Sequence, residues 1–170
     1  MPDNSKPDTS AGNIAPATGK TSQHKLSLTI QFPDKRLKEQ LPRKLLKNAV
    51  QAALFAPASL TLRFVNADEG KTLNRDYRGK DYATNVLTFA YTEDSEAETT
   101  EADIILCTDV LLQEAEQQQK SLTGHTLHLI VHGVLHAQGY DHEEEEEAAE
   151  MEGLETEILA TLGIANPYAE

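Results

Sequence analysis

The chain contains a single cysteine, Cys107, among its 170 residues. An internal disulfide is therefore excluded, and a protein of a reducing, cytoplasmic compartment is expected. Nothing approaches the run of about 18 apolar residues that a membrane-spanning helix needs, so no membrane association is expected. Residues 1–24 also lack the apolar stretch of about 7–15 residues that marks a secretory signal. They are poor in large apolar side chains and rich in Pro, Gly, Ser, Thr and Asn. That composition predicts a disordered tail before a single domain over 25–168.

Positive charge is also scarce: 15 Lys and Arg stand against 28 Asp and Glu, giving a net charge of −13. The shortage is uneven. Residues 81–119 and 141–157 each hold ten acids and no Lys or Arg. By contrast, Lys35, Arg36, Lys38, Arg43, Lys44 and Lys47 cluster before residue 48, and Arg63, Lys71, Arg75, Arg78 and Lys80 follow soon after. Local potential rather than net charge steers a polyanion, so the first half of the domain is where such a partner would dock.

Leu26–Phe32 alternates apolar and polar residues, the pattern of a half-buried strand. Apolar residues recur at helical spacing from Leu37 to Phe55, which predicts a helix closed by Pro57. Leu60–Val65 alternates again, sending Arg63 to the face opposite Leu62 and Phe64. Asn66 or Asp68 is positioned to cap a helix through Tyr77. Asn85–Tyr91 and Ala102–Cys107 read as strands three and four, joined by an acidic, mobile linker over Thr92–Glu101. A short polar helix is expected over Asp109–Gln119 and a well-packed one from Leu122. A last helix follows Asp141, with Met151, Leu154, Ile158, Leu159 and Leu162 as its buried stripe. This order predicts an α+β domain: a small four-stranded mixed sheet covered by about five helices, with a metal site at a helix end.

The densest chemistry lies in His132-Gly133-Val134-Leu135-His136-Ala137-Gln138-Gly139-Tyr140-Asp141-His142. Residues four apart on a helix share a face, so His132 and His136 lie one above the other. Gly139 can adopt the left-handed conformation that ends a helix and lets the chain turn back to deliver His142. Three converging imidazoles, with one position left for water, form a catalytic zinc-type site. Imidazoles also accept nickel and other transition ions, so the spacing does not choose the metal. His128 shares the stripe but would stand about 12 Å from His136 along the axis, too far for one ion on a straight helix. It is expected beside the site, orienting a ligand or contacting substrate. His24 and His125 are expected in solvent. Asp141, beside His142, is a candidate to orient that ligand.

The spacing matches the zinc-peptidase pattern H-E-x-x-H-x-x-G-x-x-H, except that Gly133 stands where that pattern has its glutamate base. A metallopeptidase would need a base from elsewhere. A metal can equally act on a phosphoryl oxygen. A phosphodiester transition state then calls for arginine, whose fixed fork binds phosphate oxygens in pairs. Arg63, mid-strand among apolar neighbours, is one candidate, and Arg78 and Lys80 in a loop are candidate phosphate contacts.

Three segments carry a family resemblance. They are Leu73-Asn74-Arg75-Asp76-Tyr77-Arg78-Gly79-Lys80-Asp81-Tyr82-Ala83-Thr84-Asn85-Val86-Leu87-Thr88-Phe89, then Ala102-Asp103-Ile104, then the histidine segment. Together they resemble the YbeY family of bacterial endoribonucleases over about residues 25–168. The resemblance implies one zinc ion on His132, His136 and His142, and cleavage of single-stranded RNA with Arg63 as the matching strand arginine. It implies a role in small-subunit (16S) rRNA 3′-end maturation and ribosome quality control. The implied partners are rRNA, the small subunit, a small-subunit ribosomal protein and an Era-type GTPase, with no DNA. Ala83 and Ala102 depart from the Pro and Gly common in that family; neither removes a ligand. The alternatives are a non-catalytic assembly factor with a structural zinc, closed by four protein ligands, and a metallopeptidase.

Overall fold

The computed structural model describes residues 24–91, 99–140 and 144–168. Its elements are β1 (Leu26–Gln31), α1 (Arg43–Ala52), β2 (Ala58–Val65), α2 (Ala67–Arg78), β3 (Val86–Ala90), β4 (Thr100–Cys107), α3 (Thr108–Gln117), α4 (Leu122–Ala137) and α5 (Glu145–Thr161). The sheet order is β1-β2-β4-β3. β1 and β4 run parallel to β2, and β3 runs antiparallel to β4 at the edge. Five helices and a four-stranded mixed sheet match the expected α+β class. The expected tail and most of the acidic linker lie outside the described residues, as do Asp141 and His142.

Alternation along β2 splits the core in two. Leu60, Leu62 and Phe64 join Ile104, Leu106 and the apolar side of α4 in the main cluster. Val65, Ile105 and Cys107 face the other way and, with Leu87 of β3, form a smaller cluster against Leu73 of α2. Helix α4 is therefore central: it packs on β3 and β4 and also touches α1, α3 and α5. Leu127, Ile130, Val131, Val134 and Leu135 are all buried, as their spacing predicts. Burying five such side chains stabilises the fold by about 1.5–3 kcal/mol each before entropy is counted.

Local chemistry sets the helix ends. Asn66 caps α2, its Oδ1 accepting from Glu69 N at 2.9 Å, and Gly79 ends that helix at φ 70°. Ser121 caps α4 through Gly124 N at 3.0 Å. The first helix is shorter than its apolar period predicts. Pro42 is extended (φ −64°, ψ 151°), so α1 begins only at Arg43. Proline disfavours helix in the residue before it, which confines Leu37–Leu41 to turns. Leu37 and Leu41 are buried nonetheless, so their apolar spacing reflects core packing, not helix.

Candidate functional site

Helix α4 presents its histidines in three different settings. His132 and His136 lie one turn apart with ring planes 17° from parallel and centroids 6.4 Å apart. Each ring is oriented from behind. His132 Nδ1 donates to Glu155 Oε2 at 2.8 Å, and His136 Nδ1 donates to the Tyr140 carbonyl at 2.9 Å. A carbonyl can only accept, so His136 carries its proton on Nδ1, and the Glu155 carboxylate assigns the same tautomer to His132. In that tautomer Nε2 is the nitrogen that bears the lone pair. Metal-binding histidines are characteristically arranged this way. Gly139, at φ 104°, ends the helix, and the turn returns Tyr140 N to Leu135 O.

This donor set fits a borderline ion such as zinc. Two imidazoles of the expected trio are in place on one helix face, and the third, His142, lies outside the described residues. Among the described residues no three His, Cys, Asp or Glu side chains gather as a metal group.

His128 and His125 occupy other environments. His128 is buried, and its Nε2 lies 2.7 Å from Glu155 Oε1 and 3.2 Å from the Tyr168 hydroxyl. Its ring is turned to the interior, behind His132 on the Glu155 carboxylate. His125 is buried rather than solvated, with Nε2 2.9 Å from Glu114 Oε1. The same carboxylate accepts from Asn85 Nδ2 at 3.1 Å.

A cavity of about 460 Å³ opens beside His132. Arg78, Thr84, Asn85, Glu152 and Tyr168 contribute to its walls. Arg78, the last residue of α2, is exposed and supplies a positive charge there. Lys80 is exposed in the next turn but does not line the cavity. Asn85 is fixed twice, by Glu114 and by its Oδ1 accepting from Val86 N at 2.7 Å. Another cavity, near Gly139 and Tyr140, is lined by Glu146, Glu147 and Glu150. That wall is acidic, whereas Arg78 brings a positive charge to the cavity beside His132.

Arg63 is not brought to this cavity. It shares a sheet face with Val65 and Ile105, opposite α4. Its Nε donates to Glu69 Oε2 at 2.7 Å and its Nη1 to Gln31 Oε1 at 2.8 Å. Among the described residues, Arg78 and not Arg63 lines the cavity beside His132.

Gly133 has a packing role. A Cβ there would stand 3.0 Å from Ile104 Cγ2 and 3.3 Å from Thr88 Oγ1. The position that holds the peptidase base is filled by the sheet, so a glutamate would meet β3 and β4.

Sequence reasoning left Glu155, Tyr168, Thr84 and Asn85 without a role. Glu155 carried a legible signal: it lies four residues after Met151 and three before Ile158, on the apolar stripe of α5. It is fully buried. Burial pushes its pKa up, but hydrogen bonds from His128, His132 and Tyr168 outweigh that and hold it at about 2, below the ordinary 4.5. Burial and the Glu155 carboxylate push the Tyr168 phenol up.

The family model described as "Endoribonuclease YbeY" matches residues 22–163. The chain belongs to the endoribonuclease YbeY family. The family member of Janthinobacterium sp. (strain Marseille) is 68% identical over 146 residues, spanning 86% of this chain and 96% of that protein. The Herminiimonas arsenicoxydans member is 61% identical over 153 residues, spanning 87% and 98%. Both carry the name "Endoribonuclease YbeY". The solution structure of a Thermotoga maritima protein aligns with a TM-score of 0.51 and 23% identity, covering 84% of this chain and 99% of that one. At that identity it speaks to the YbeY-like fold alone. No described helix is long and apolar enough to cross a membrane.

Proposed function

We propose that this chain is a metal-dependent endoribonuclease that cuts single-stranded RNA in 16S rRNA 3′-end maturation and ribosome quality control. One observation carries the proposal: His132 and Arg78 line the same cavity, next to Thr84 and Asn85. His132, His136 and His142 would hold one ion, zinc by donor chemistry, with nickel or another transition ion also compatible. When bound, such an ion supplies Lewis acidity at a phosphoryl oxygen and acidifies water.

The chain's own groups do the rest. Glu155 and the Tyr140 carbonyl hold the two rings through Nδ1. Arg78 offers a permanently charged fork to a phosphate and to the charge that grows on it during cleavage. The fixed amide of Asn85 and the Thr84 hydroxyl position the strand. Lys80 adds charge along the approach. Arg63, the strand arginine that the resemblance singled out, pairs with Glu69 and Gln31 and on this reading stays outside the cleavage step. In the cytoplasm the partners would be rRNA and the small subunit, with a small-subunit ribosomal protein and an Era-type GTPase.

The test is cleavage of a defined single-stranded pre-rRNA fragment by wild type, His136→Ala, Arg78→Ala and Arg63→Ala, with metal content measured on untagged protein. Loss in the first two variants and retention in the third is expected. Undiminished cleavage by both His136→Ala and Arg78→Ala would overturn the reading, and no cleavage by any of the four proteins would favour a non-catalytic assembly factor. Metal-dependent peptide cleavage would instead revive the peptidase.

A further inference from the structure

The stripe His128, His132, His136 offers three imidazoles to a site whose described part uses two. What separates His128 from its neighbours is Glu155. This carboxylate reaches from α5 between the first two rings, with Oε1 2.7 Å from His128 Nε2 and Oε2 2.8 Å from His132 Nδ1. The two rings meet it through different nitrogens. His132 turns Nδ1 inward, leaving Nε2 as its lone-pair atom. His128 turns Nε2 inward, and its Nδ1 is buried without a hydrogen-bond partner among the described residues. Tyr168, from the C-terminal segment, donates its hydroxyl to Oε1 of the same carboxylate. That segment is itself fastened: Tyr168 N donates to Asn166 Oδ1 at 2.8 Å and Lys120 Nζ to the Pro167 carbonyl at 3.0 Å.

A fully buried carboxylate is costly to desolvate, and apolar residues of similar volume often replace buried ionic groups at no loss of stability. The neighbours of Glu155 on its own helix, Met151, Ile158 and Leu159, are buried and apolar. Packing alone asks for another such residue at 155. We propose that Glu155 is the positioning residue of the histidine site: one oxygen holds the His132 ring in its ligand tautomer, and the other, with Tyr168, fixes His128 in the interior behind it. This rests on the metal reading above and adds to it what orients the His132 ring differently from the His128 ring. A glutamine at 155 replaces one of the two carboxylate oxygens by an NH2 donor, so one ring faces a donor where it now meets an acceptor.

The experiment measures zinc affinity by competition with a chromophoric chelator, for the untagged wild type, Glu155→Gln and Tyr168→Phe. The nitrogen-15 spectra of the histidine rings are recorded on the metal-free proteins. Glu155→Gln should bind zinc about 10–100-fold more weakly, measured at a temperature where circular dichroism shows the metal-free variant folded; its metal-free thermal midpoint should fall, because the depressed carboxylate stabilises the fold at neutral pH. Tyr168→Phe should weaken binding less. Metal-free wild type should show His132 protonated on Nδ1 and His128 on Nε2. Zinc affinity in Glu155→Gln equal to wild type overturns the inference and leaves the metal reading standing. Should Glu155→Gln fail to fold, the wild-type spectrum decides: His132 protonated on Nε2 overturns the inference. A wild type that takes up no zinc overturns both readings.

Discussion

The two faces of the sheet are built from alternate residues of the same strands, yet they do different work. The α4 face is a broad apolar core that supports a line of histidines, with carboxylates set behind three of them. The α2 face is a small cluster of Val65, Leu87, Ile105 and Cys107, with Arg63 in an ion pair beside it. Adjacent residues of β2 thus serve the site and the scaffold separately. An arginine one position from a core phenylalanine can lie a whole sheet away from the chemistry. Arg78 belongs to the α2 layer by sequence, but as the last residue of its helix it lines the cavity beside His132.

The comparison breaks most visibly at the histidines. His136→Ala should reduce cleavage to background and remove bound metal, read by elemental analysis of untagged protein. Next, Arg78→Ala should lower kcat/KM by about 10²–10³-fold, the scale for losing one preorganised charge donor. Arg63→Ala should stay within a few-fold in the same assay. The reverse ranking would show that the α2 face takes part in the reaction. Gly133→Glu should cost about 3–5 kcal/mol by forcing an unpaired carboxylate against Ile104 and Thr88, measured by denaturant unfolding. An unchanged midpoint would show that α4 does not lie as close to the sheet as 3.0 Å implies.

On the α2 side the effects are smaller. Asn66→Ala removes the cap of α2 and should cost about 1 kcal/mol, with little effect on metal affinity. The smallest lies at Asp34. The hydrogen bond from Arg36, opposed by burial, holds its carboxyl below the ordinary 3.8. A depressed carboxylate stabilises the fold above its ordinary pKa, and that contribution is lost as pH falls through the folded value. Arg36 is half exposed, so the contribution is about 1 kcal/mol or less. The thermal midpoints of wild type and Asp34→Asn should converge below about pH 4.

Much of this was legible in the chain. Alternation at Leu60–Val65, the period through Leu127–Leu135 and the cap at Asn66 each predict an element that forms. Pro42 was legible as well, and its effect on the residue before it explains why the first helix starts late. Glu155 could have been found as a charge on an apolar stripe. His125 could not, because its partner Glu114 belongs to another helix and meets it only after α3 packs on α4.

The sequence by itself determined the elements, the shared face of His132 and His136, and the absence of a carboxylate at 133, because helical and strand periods are local consequences of backbone geometry. Only the tertiary structure decided which sheet face α4 covers, and hence that Arg78 rather than Arg63 lines the cavity beside His132 and that Glu155 bonds both His128 and His132. Period fixes which residues share a face. What that face meets depends on burial between segments far apart in the chain.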